Sequence, residues 1–434
     1  MDFFYCMETF YKYFIDSTGV SIDSRAITDG CMFIALKGPS FNGNAFAQQA
    51  IEGGARYAIV DEIEYVDEAR NIFLVENGLL FLQQLAHYHR MQFDIPYIGI
   101  TGSNGKTSTK ELVAAVLSEK YNVLATVGNL NNHIGVPLTL LKVNASHEIA
   151  VIEMGANHFG DIKELCDIVV PTHGVITNIG KAHLEGFKNF EGVLKTKKEL
   201  YDSVEKSEGL ILYNADDSVL KDVLPINTLL MSYGTGTSEI IGKLERLTPY
   251  VEFSWSKRNY QSEVLKTNLV GQYNFYNFLT AISFGVLFEI EENKINHAIQ
   301  HYTPTNKRSQ VVKTSKNTLI LDCYNANPTS MRSALESFNK IDHEHKVVII
   351  GDMLELGEES SNEHKAILNF LDENGIVAYT VGKEFGQFNA SNVKGNFTSA
   401  SDVIAFLKDN EIVNHLILLK GSRGIGLEIL EDYL

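Results

Sequence analysis

The sequence lacks paired cysteines and an excess of basic residues. Its four cysteines, Cys6, Cys31, Cys166 and Cys323, are scattered, without the spacing of a zinc site or a disulfide framework. We therefore expect a reducing compartment. With 54 acidic against 37 basic residues the formal net charge is −17, whereas nucleic-acid-binding domains are usually basic. We expect no nucleic-acid partner.

Long apolar runs are also missing. The N-terminus has no basic region followed by an apolar one, so we predict no signal peptide. The densest apolar run, residues 279–288, is too short to cross a bilayer. These absences predict a cytoplasmic protein without a membrane span. The length of 434 residues predicts about two to four domains, and we expect the chain to act as a monomer.

What the sequence does contain is a glycine-rich turn between a strand pattern and a helix pattern. The apolar run 97–100 leads into Thr101-Gly102-Ser103-Asn104-Gly105-Lys106-Thr107-Ser108. Backbone N–H groups and the helix N-terminus of such a turn favour a phosphate, and Lys106 is placed to reach its outer oxygens. Thr107 is the expected Mg²⁺ ligand. Because Ile100 stands where G-x-x-x-x-G-K-[ST] has glycine, the alternative is a plain turn with an exposed lysine.

Two further strand patterns end in residues suited to metal binding. The run 149–152 stops at Glu153, and the run 174–177 leads to His183. Ligands of open α/β sheets bind at the carboxyl ends of the strands, so we expect both residues near the glycine turn. Carboxylate suits Mg²⁺ better than imidazole does. The alternatives are that Glu153 caps the next helix and that His183 is a structural polar residue.

Two helix patterns in the central region carry further candidates. Asn274 and Asn277 open one of them and share a face, where two amides are suited to an adenine edge. We predict Asn274 as its N-cap. The helix after His183 carries Lys195 and Lys197, and a lysine cluster by itself indicates a solvated face.

Prolines at positions 96 and 304 mark two boundaries, since the residue before proline avoids helix. We predict domains over residues 1–94, 95–302 and 303–434. In the first, strands are predicted over 32–36 and 57–60 and helices over 45–53 and 79–90. Its loops carry Ser24, Arg25, Lys37 and Gly38, a set able to hold a diphosphate, although solvated loop charges explain them more simply.

Taken together, these segments resemble the Mur ligases, ATP-dependent amide-forming enzymes of peptidoglycan precursor synthesis. The resemblance covers nearly the whole chain. In the central block it is carried by residues 101–107 (TGSNGKT), 129–137 (NLNNHIGVP), 153–156 (EMGA) and 178–187 (NIGKAHLEGF). In the C-terminal block, residues 322–328 (DCYNANP), 351–357 (GDMLELG) and 420–423 (KGSR) are similar to the member that adds a dipeptide rather than a single amino acid.

The resemblance implies an α/β fold of three domains: a central P-loop-type parallel-sheet domain flanked by a small N-terminal α/β domain and a C-terminal Rossmann-like α/β domain. It implies ATP and two Mg²⁺ ions as cofactors. It also implies that UDP-N-acetylmuramoyl-tripeptide and D-alanyl-D-alanine are joined through an acyl phosphate. The ATP-binding residues it implies are Thr101, Gly102, Ser103, Asn104, Gly105, Lys106, Thr107, Ser108, Asn274, Asn277, Arg308 and Asp322.

The same resemblance implies roles for other residues. Substrate binding falls to Ser24, Arg25, Lys37, Gly38, Asn131, Asn132, Tyr324, Asn325 and Asn327, and catalysis to Lys106, Glu153, His183 and Lys197. The implied metal ligands are Thr107, Glu153, His183 and a carbamylated Lys197. The Lys-x-x-Leu-Tyr pattern selects Lys197, with Lys195 as the competitor.

Three positions depart from the family pattern. Tyr273 replaces a histidine, Leu321 replaces the first of two aspartates, and Lys307 replaces the glycine before Arg308. Because Arg308 and Asp322 belong to the third domain, we expect the site to be complete only when that domain closes, and the chain without ligands to be open.

Three rival functions stay open on the sequence alone. One is a related ligase that adds a single amino acid or extends a folate glutamate tail. Another is a P-loop phosphotransferase that makes a stable phosphorylated product. The third is an ATP-binding regulator without turnover, which the set of metal and lysine residues disfavours.

Overall fold

The computed structural model describes residues 6–247 and 249–434. Its N-terminal part is a parallel sheet with the strand order Val20–Ser21, Met32–Ile34, Tyr57–Val60 and Ile72–Leu74. The accompanying helices are Met7–Ile15, Ala47–Glu52 and Gly78–Arg90, and a hairpin joins Lys37–Gly38 to Phe41–Asn42.

Two predicted elements of this part are shorter than expected. The strand predicted over 32–36 ends at Ile34, because the Gly43 N–H bonds to the Leu36 carbonyl and turns the chain into the hairpin. The helix predicted over 45–53 begins at Ala47, because a 3-10 turn capped by the Asn42 side chain comes first.

The central part is a sheet of mostly parallel strands. Its order is Tyr260–Gln261, Tyr250–Lys257, Ile240–Arg246, Leu229–Gly234, Leu210–Asn214, His173–Ile176, Tyr97–Thr101, Ile149–Glu153 and Val123–Ala125, with Leu265–Val270 paired to Tyr250–Lys257. The strands from Ile240–Arg246 to Val123–Ala125 are parallel, and the other pairs are antiparallel. The helices are Lys106–Leu117, Gly135–Leu140, Asp161–Val169, Leu184–Phe187, Phe190–Lys206, Ser218–Asp222, Asn274–Leu287 and Glu292–His301.

Apolar residues alternate between two cores on the two faces of this sheet. In strand Ile149–Glu153, Ala150 and Ile152 join the core shared with the N-terminal part, whereas Ile149 and Val151 join the core under helix Lys106–Leu117. Burying an aliphatic side chain of this size contributes about 1.5–3 kcal/mol. The continuous apolar run therefore reflects a strand covered on both faces, as the sequence predicts.

The C-terminal part has the strand order Gln310–Lys313, Thr318–Asp322, Leu416–Lys420, Lys346–Gly351, Ala378–Val381 and Val393–Phe397, with only the first pair antiparallel. Its helices are Pro328–Asn339, Ser360–Glu373 and Ala400–Asp409. The predicted α/β architecture is confirmed, and the limits 1–94, 95–302 and 303–434 stay a prediction. Within the described residues, no helix has both the length and the apolar character to cross a bilayer.

Candidate active site

A cavity of about 1020 Å³ lies between the central and C-terminal parts. Its central wall is formed by the glycine turn, the end of strand Ile149–Glu153 and the start of helix Asn274–Leu287. Its other wall comes from residues that follow strand ends of the C-terminal sheet. The cavity therefore occupies the carboxyl edges of two parallel sheets, where α/β proteins bind ligands.

Two glycines let the turn pass close to its neighbours. Gly102 has φ +141°, and a Cβ there would lie 2.0 Å from Oγ1 of Thr177. Gly105 has φ +80°, and its Cβ would lie 2.8 Å from Oδ1 of Asn277. A side chain at Gly102 would push the turn away from the residue after strand His173–Ile176, and one at Gly105 would push it away from helix Asn274–Leu287.

The turn is fixed by the segment that follows strand His173–Ile176. The Ser103 N–H donates to the Asn178 carbonyl at 2.9 Å, and the Asn104 N–H donates to Oδ1 of Asn178 at 3.0 Å. Ser103 and Asn104 line the cavity with Gly105, Lys106, Thr107 and Ser108. Thr101 lies beneath them, fully buried, with its hydroxyl bonded to the Met154 carbonyl.

Lys106 begins the helix and bends back over the turn. Its Nζ donates to the carbonyl of Gly102 at 2.7 Å and to that of Ser103 at 3.3 Å. Burial lowers the pKa of Lys106 to about 8; the charge of Glu153 opposes this shift and that of Arg308 adds to it. An anion bound at the turn would restore the pKa and favour the charged lysine.

Glu153 is buried at the end of its strand and carries one unsatisfied oxygen. Its Oε1 accepts from Oγ1 of Thr107 at 3.1 Å and from Nδ2 of Asn131 at 2.7 Å, but its buried Oε2 has no hydrogen-bond partner. Such an oxygen is costly unless a cation or donor reaches it. The alternative that Glu153 caps the next helix is wrong, because Gly160 occupies that N-cap.

His183 and Lys197 both lie near the ring of Phe187. His183 precedes the short helix Leu184–Phe187 and lines the cavity, and its Nδ1 contacts the carboxylate of Glu355. The Nζ of Lys197 lies 5.3 Å from the centre of the Phe187 ring. Lys197 is not among the residues that line the cavity.

The two lysines of the following helix differ in burial. Lys197 is 1% exposed, whereas Lys195 is exposed. Burial, and next the charge of Lys106, holds the pKa of Lys197 well below its usual value. The solvated face indicated by the residues is therefore wrong for Lys197 and holds for Lys195.

Asn274 and Asn277 share one face as predicted, but Asn274 is not the N-cap. Tyr273 holds that position, and Nδ2 of Asn274 donates to the Val270 carbonyl at 2.8 Å and to Oγ of Ser309 at 3.1 Å. Nδ2 of Asn277 donates to Oδ1 of Asn274 at 2.8 Å. Both amides line the cavity but already have protein partners.

The linker into the C-terminal part presents Arg308 between two strained residues. Lys307 and Ser309 have φ values of +56° and +51°. Cζ of Arg308 lies 3.8 Å from the centre of the Tyr324 ring, and its buried Nε has no partner. The left-handed backbone at Lys307 explains why glycine suits this position.

We expect Lys307→Gly to raise the free energy of unfolding by about 1 kcal/mol, because a left-handed backbone costs a residue with a side chain roughly 1–2 kcal/mol. The half-exposed pair of Lys307 with Glu431, at 3.5 Å, offsets little of this gain. Urea unfolding measures the change. Lys313→Gly, in strand Gln310–Lys313, is the control and should lose about 0.5–1 kcal/mol. A loss at position 307 would contradict the argument.

The remaining C-terminal candidates line the cavity as a group: Asp322, Tyr324, Asn325 and Asn327. Asp322 accepts from the buried Nζ of Lys420 at 2.6 Å. Asn327 caps helix Pro328–Asn339, and its Nδ2 donates to Oδ1 of Asn104 at 2.7 Å. That hydrogen bond joins the C-terminal part directly to the glycine turn.

Other contacts also join these two parts. Nζ of Lys181 donates to Oε1 of Glu363 at 2.6 Å, and its backbone N–H donates to Oγ1 of Thr329 at 3.1 Å. The C-terminal part is thus docked on the cavity in this structure. Opening of the chain without ligands stays a prediction for solution.

The substrate-binding candidates of the N-terminal part lie outside the cavity, whereas the candidate Asn132 is part of its wall. Asn132 lines the cavity, and its Oδ1 accepts from the backbone N–H groups of Ile134 at 3.2 Å and Gly135 at 2.8 Å. Arg25 is exposed and bonded to Asp23, and Lys37 lies 3.0 Å from Asp61. Neither they nor Ser24 and Gly38 line the cavity.

Several cavity residues received no role from the sequence. Arg423, whose Cζ lies 5.3 Å from the Tyr324 ring centre, belongs to the KGSR motif, and Glu355 belongs to GDMLELG. Both motifs support the resemblance, but neither indicates by itself which residue faces the cavity. Asp216 and Tyr276 bond to each other at 3.1 Å at the cavity wall, and their spacing in sequence gives no signal.

Comparison with known proteins identifies the family. Three family models match in chain order: Mur ligase family, catalytic domain, over residues 16–90; Mur ligase middle domain, over residues 100–285; and Mur ligase, glutamate ligase domain, over residues 307–423. A UDP-N-acetylmuramoyl-tripeptide--D-alanyl-D-alanine ligase of Bacillus subtilis (strain 168) is 34% identical over 427 residues, covering 95% of this chain and 92% of the relative.

Solved structures agree in fold. Crystal structure I of MurF from Acinetobacter baumannii has a TM-score of 0.88 at 28% identity and covers 99% of this chain and 98% of that one. MurF ligase from Thermotoga maritima, in complex with ADP, has a TM-score of 0.87 at 24% identity, covers 97% of each chain, and shows the shared fold. With three models in order and a relative similar over almost its full length, the chain belongs to the Mur ligase family.

Proposed function

We propose that this protein uses ATP to join D-alanyl-D-alanine to the terminal carboxylate of UDP-N-acetylmuramoyl-tripeptide, giving UDP-N-acetylmuramoyl-pentapeptide, ADP and phosphate. The observation that carries the proposal is the near-full-length similarity to a ligase of that name. The cavity supports it, because a phosphate-binding turn faces polar groups of a second sheet there. The chain would be an ATP-dependent ligase that forms a C–N bond and acts as a monomer.

The reaction proceeds in two steps. A carboxylate oxygen of the tripeptide attacks the γ-phosphorus of ATP, the bond to ADP breaks, and an acyl phosphate forms. The amine of the dipeptide, having lost its proton, then attacks the acyl carbon and releases phosphate. Lys106 neutralises phosphate charge before and during the first step, where repulsion between two anions would otherwise oppose attack.

Magnesium fits the residues of the central wall. The unsatisfied Oε2 of Glu153 and the hydroxyl of Thr107 are oxygen donors of the kind Mg²⁺ prefers. When bound, the ion supplies charge neutralisation and alignment of the phosphate oxygens. No group of three or more His, Cys, Asp or Glu side chains in the described parts could hold a metal alone. Oxygen atoms of the bound phosphates and the carbamate of a modified lysine would supply the missing ligands of the two proposed Mg²⁺ sites.

Lys197 is chemically suited to carbamylation. The reaction needs a neutral amine, and the pKa of Lys197 is held low chiefly by its burial. Attack of Nζ on carbon dioxide forms an N–C bond and releases one proton, which turns a buried amine into a carboxylate. That carboxylate would hold the second Mg²⁺ together with His183, and exposed Lys195 has no such advantage.

The other residues have proposed roles around this centre. Asn274 and Asn277 contact the adenine of ATP, Asp322 contacts the ribose, and Arg308 contacts the phosphates. The glycine turn, residues 101–108, binds the phosphates from the opposite wall. Asn131, Asn132, Tyr324, Asn325 and Asn327 contact the peptide substrates. The UDP group is bound outside the cavity by the domain over residues 1–94, through Ser24, Arg25, Lys37 and Gly38. The domains over 95–302 and 303–434 supply the residues that bind ATP, Mg²⁺ and the peptide substrates.

The test is phosphate release with UDP-N-acetylmuramoyl-tripeptide, ATP and a panel of amines. We expect release only with D-alanyl-D-alanine-type dipeptides, and little with D-alanine, L-lysine or glutamate. Release with a single amino acid would favour the related ligase. ADP without free phosphate would identify a phosphotransferase, and nucleotide binding without turnover would identify a regulator.

A further inference from the structure

Two left-handed residues from different parts of the chain meet at one corner of the cavity. His183 has φ +52° and Glu355 has φ +63°. Backbone strain of this kind persists only where the surroundings fix it, and it concentrates at functional sites. The carboxylate of Glu355 contacts Nδ1 of His183, and both residues line the cavity.

The loop that carries Glu355 is held rigidly by its own domain. Both carboxylate oxygens of buried Asp352 accept backbone N–H groups, from Glu384 at 2.9 Å and from Phe385 at 3.0 Å. The Met353 N–H donates to Nε2 of His364 at 3.0 Å, and the Leu354 N–H donates to Oγ of Ser422 at 2.9 Å. Glu355 therefore reaches the cavity from a fixed support.

The contact with His183 is reinforced along the backbone. The Glu185 N–H donates to the Glu355 carbonyl at 3.3 Å, two residues beyond the histidine. The His183 side chain is 19% exposed and that of Glu355 is 53% exposed, so the carboxylate covers the imidazole from outside. In the described parts of the chain no group forms a hydrogen bond of good geometry with the buried Nδ1, and its polar contact there is the ion pair with the Glu355 carboxylate.

We propose that Glu355 is a positioning residue which the C-terminal domain supplies to the metal site. A histidine that ligates a metal through one ring nitrogen almost always gives its other N–H to a carboxylate or carbonyl, which fixes the tautomer and the ring orientation. Glu355 fills that role at Nδ1 and leaves Nε2 as the nitrogen available to a metal. The inference rests on the proposed function, since it takes His183 as a ligand.

The consequence is a link between domain docking and metal binding. The groups proposed as metal ligands belong to the central domain, but the imidazole is oriented only when the C-terminal domain is docked. The neighbouring pair Lys181–Glu363 also crosses between these domains, at 2.6 Å, without contacting His183. A variant that breaks this pair loses a docking contact but keeps the carboxylate that contacts the imidazole, so it separates the two effects.

The test uses Mn²⁺ as the probe on the full chain saturated with a non-hydrolysable ATP analogue. Electron paramagnetic resonance gives the Mn²⁺ affinity, and electron spin-echo modulation detects an imidazole nitrogen on the ion. We expect Glu355→Ala to weaken Mn²⁺ binding about 10–100-fold and to reduce the nitrogen signal. Glu355→Gln keeps an acceptor oxygen and should lose less. Glu363→Ala should stay within about twofold of the wild type.

Unchanged Mn²⁺ affinity in Glu355→Ala would overturn the proposal. Tighter binding would also overturn it, because it would mean that the carboxylate competes with the metal for His183. If Glu363→Ala lost as much affinity as Glu355→Ala, Glu355 would be only a docking contact, and absence of Mn²⁺ binding by the wild type would likewise overturn the proposal. Thermal unfolding of each variant excludes misfolding. The Mn²⁺ assay contains neither peptide substrate and is therefore independent of the phosphate-release test. If no dipeptide supports phosphate release but Glu355→Ala still weakens Mn²⁺ binding, the proposed function is rejected and the role of Glu355 stands.

Discussion

Lys106→Ala is expected to reduce ADP formation by about 10³-fold or more, to background, because one preorganised charge at a reacting group contributes about 10²–10³-fold and this lysine also binds the nucleotide. The fold should survive, since Nζ bonds only to two carbonyls of the turn. A coupled ADP assay and urea unfolding measure the two effects. Lys142→Ala, an exposed lysine after helix Gly135–Leu140, is the control.

The pKa of Lys106 gives a second measurement of the same role. Burial lowers that pKa to about 8 in the free chain, and a bound triphosphate raises it again. Above pH 8 the free lysine is mostly neutral, so nucleotide binding should take up a proton; near pH 6 it should not. Calorimetry in buffers of different ionisation enthalpy measures this uptake. Uptake that persists in Lys106→Ala, or near-normal ADP formation by that variant, would contradict the assignment.

Local patterns predicted the elements that carry the site. The glycine turn, Glu153 and His183 each follow an apolar strand, and parallel strands bring their carboxyl ends to one edge. The sequence therefore predicted that these three would meet. The helix after the turn was also predicted, because Leu112, Val113, Val116 and Leu117 repeat at helical spacing, and all four are buried in helix Lys106–Leu117.

Features that depend on packing between distant segments could not be predicted. Ser309 approaches from the linker and bonds to the side chains of Tyr273, which holds the N-cap, and of Asn274. Lys197 is buried beside Phe187, although three of the four residues nearest to it in sequence, Lys195, Lys198 and Glu199, are charged. Glu355 requires a left-handed backbone and a docked domain, and neither leaves a local pattern.

Lys197→Ala is expected to lose most activity, by about 10²–10³-fold if the carbamate supplies one metal ligand, and to regain part of it when short carboxylic acids are added. The variant leaves a space in which a small carboxylate can take the place of the carbamate. No added acid should rescue Lys106→Ala, because that variant lacks a cation. Ligase activity with and without acetate or formate measures the effect.

Lys195→Ala is the matched control, because Lys195 lies two positions earlier on the same helix and is exposed. It should keep near-normal activity and show no response to added acids. Removing carbon dioxide from the buffer should slow the wild type and leave Lys197→Ala unaffected, since only the wild type has an amine to carbamylate. Acid rescue of Lys195→Ala with a near-normal Lys197→Ala would move the modification to Lys195. Because Lys195 is exposed, that outcome would also mean that burial does not select the modified lysine.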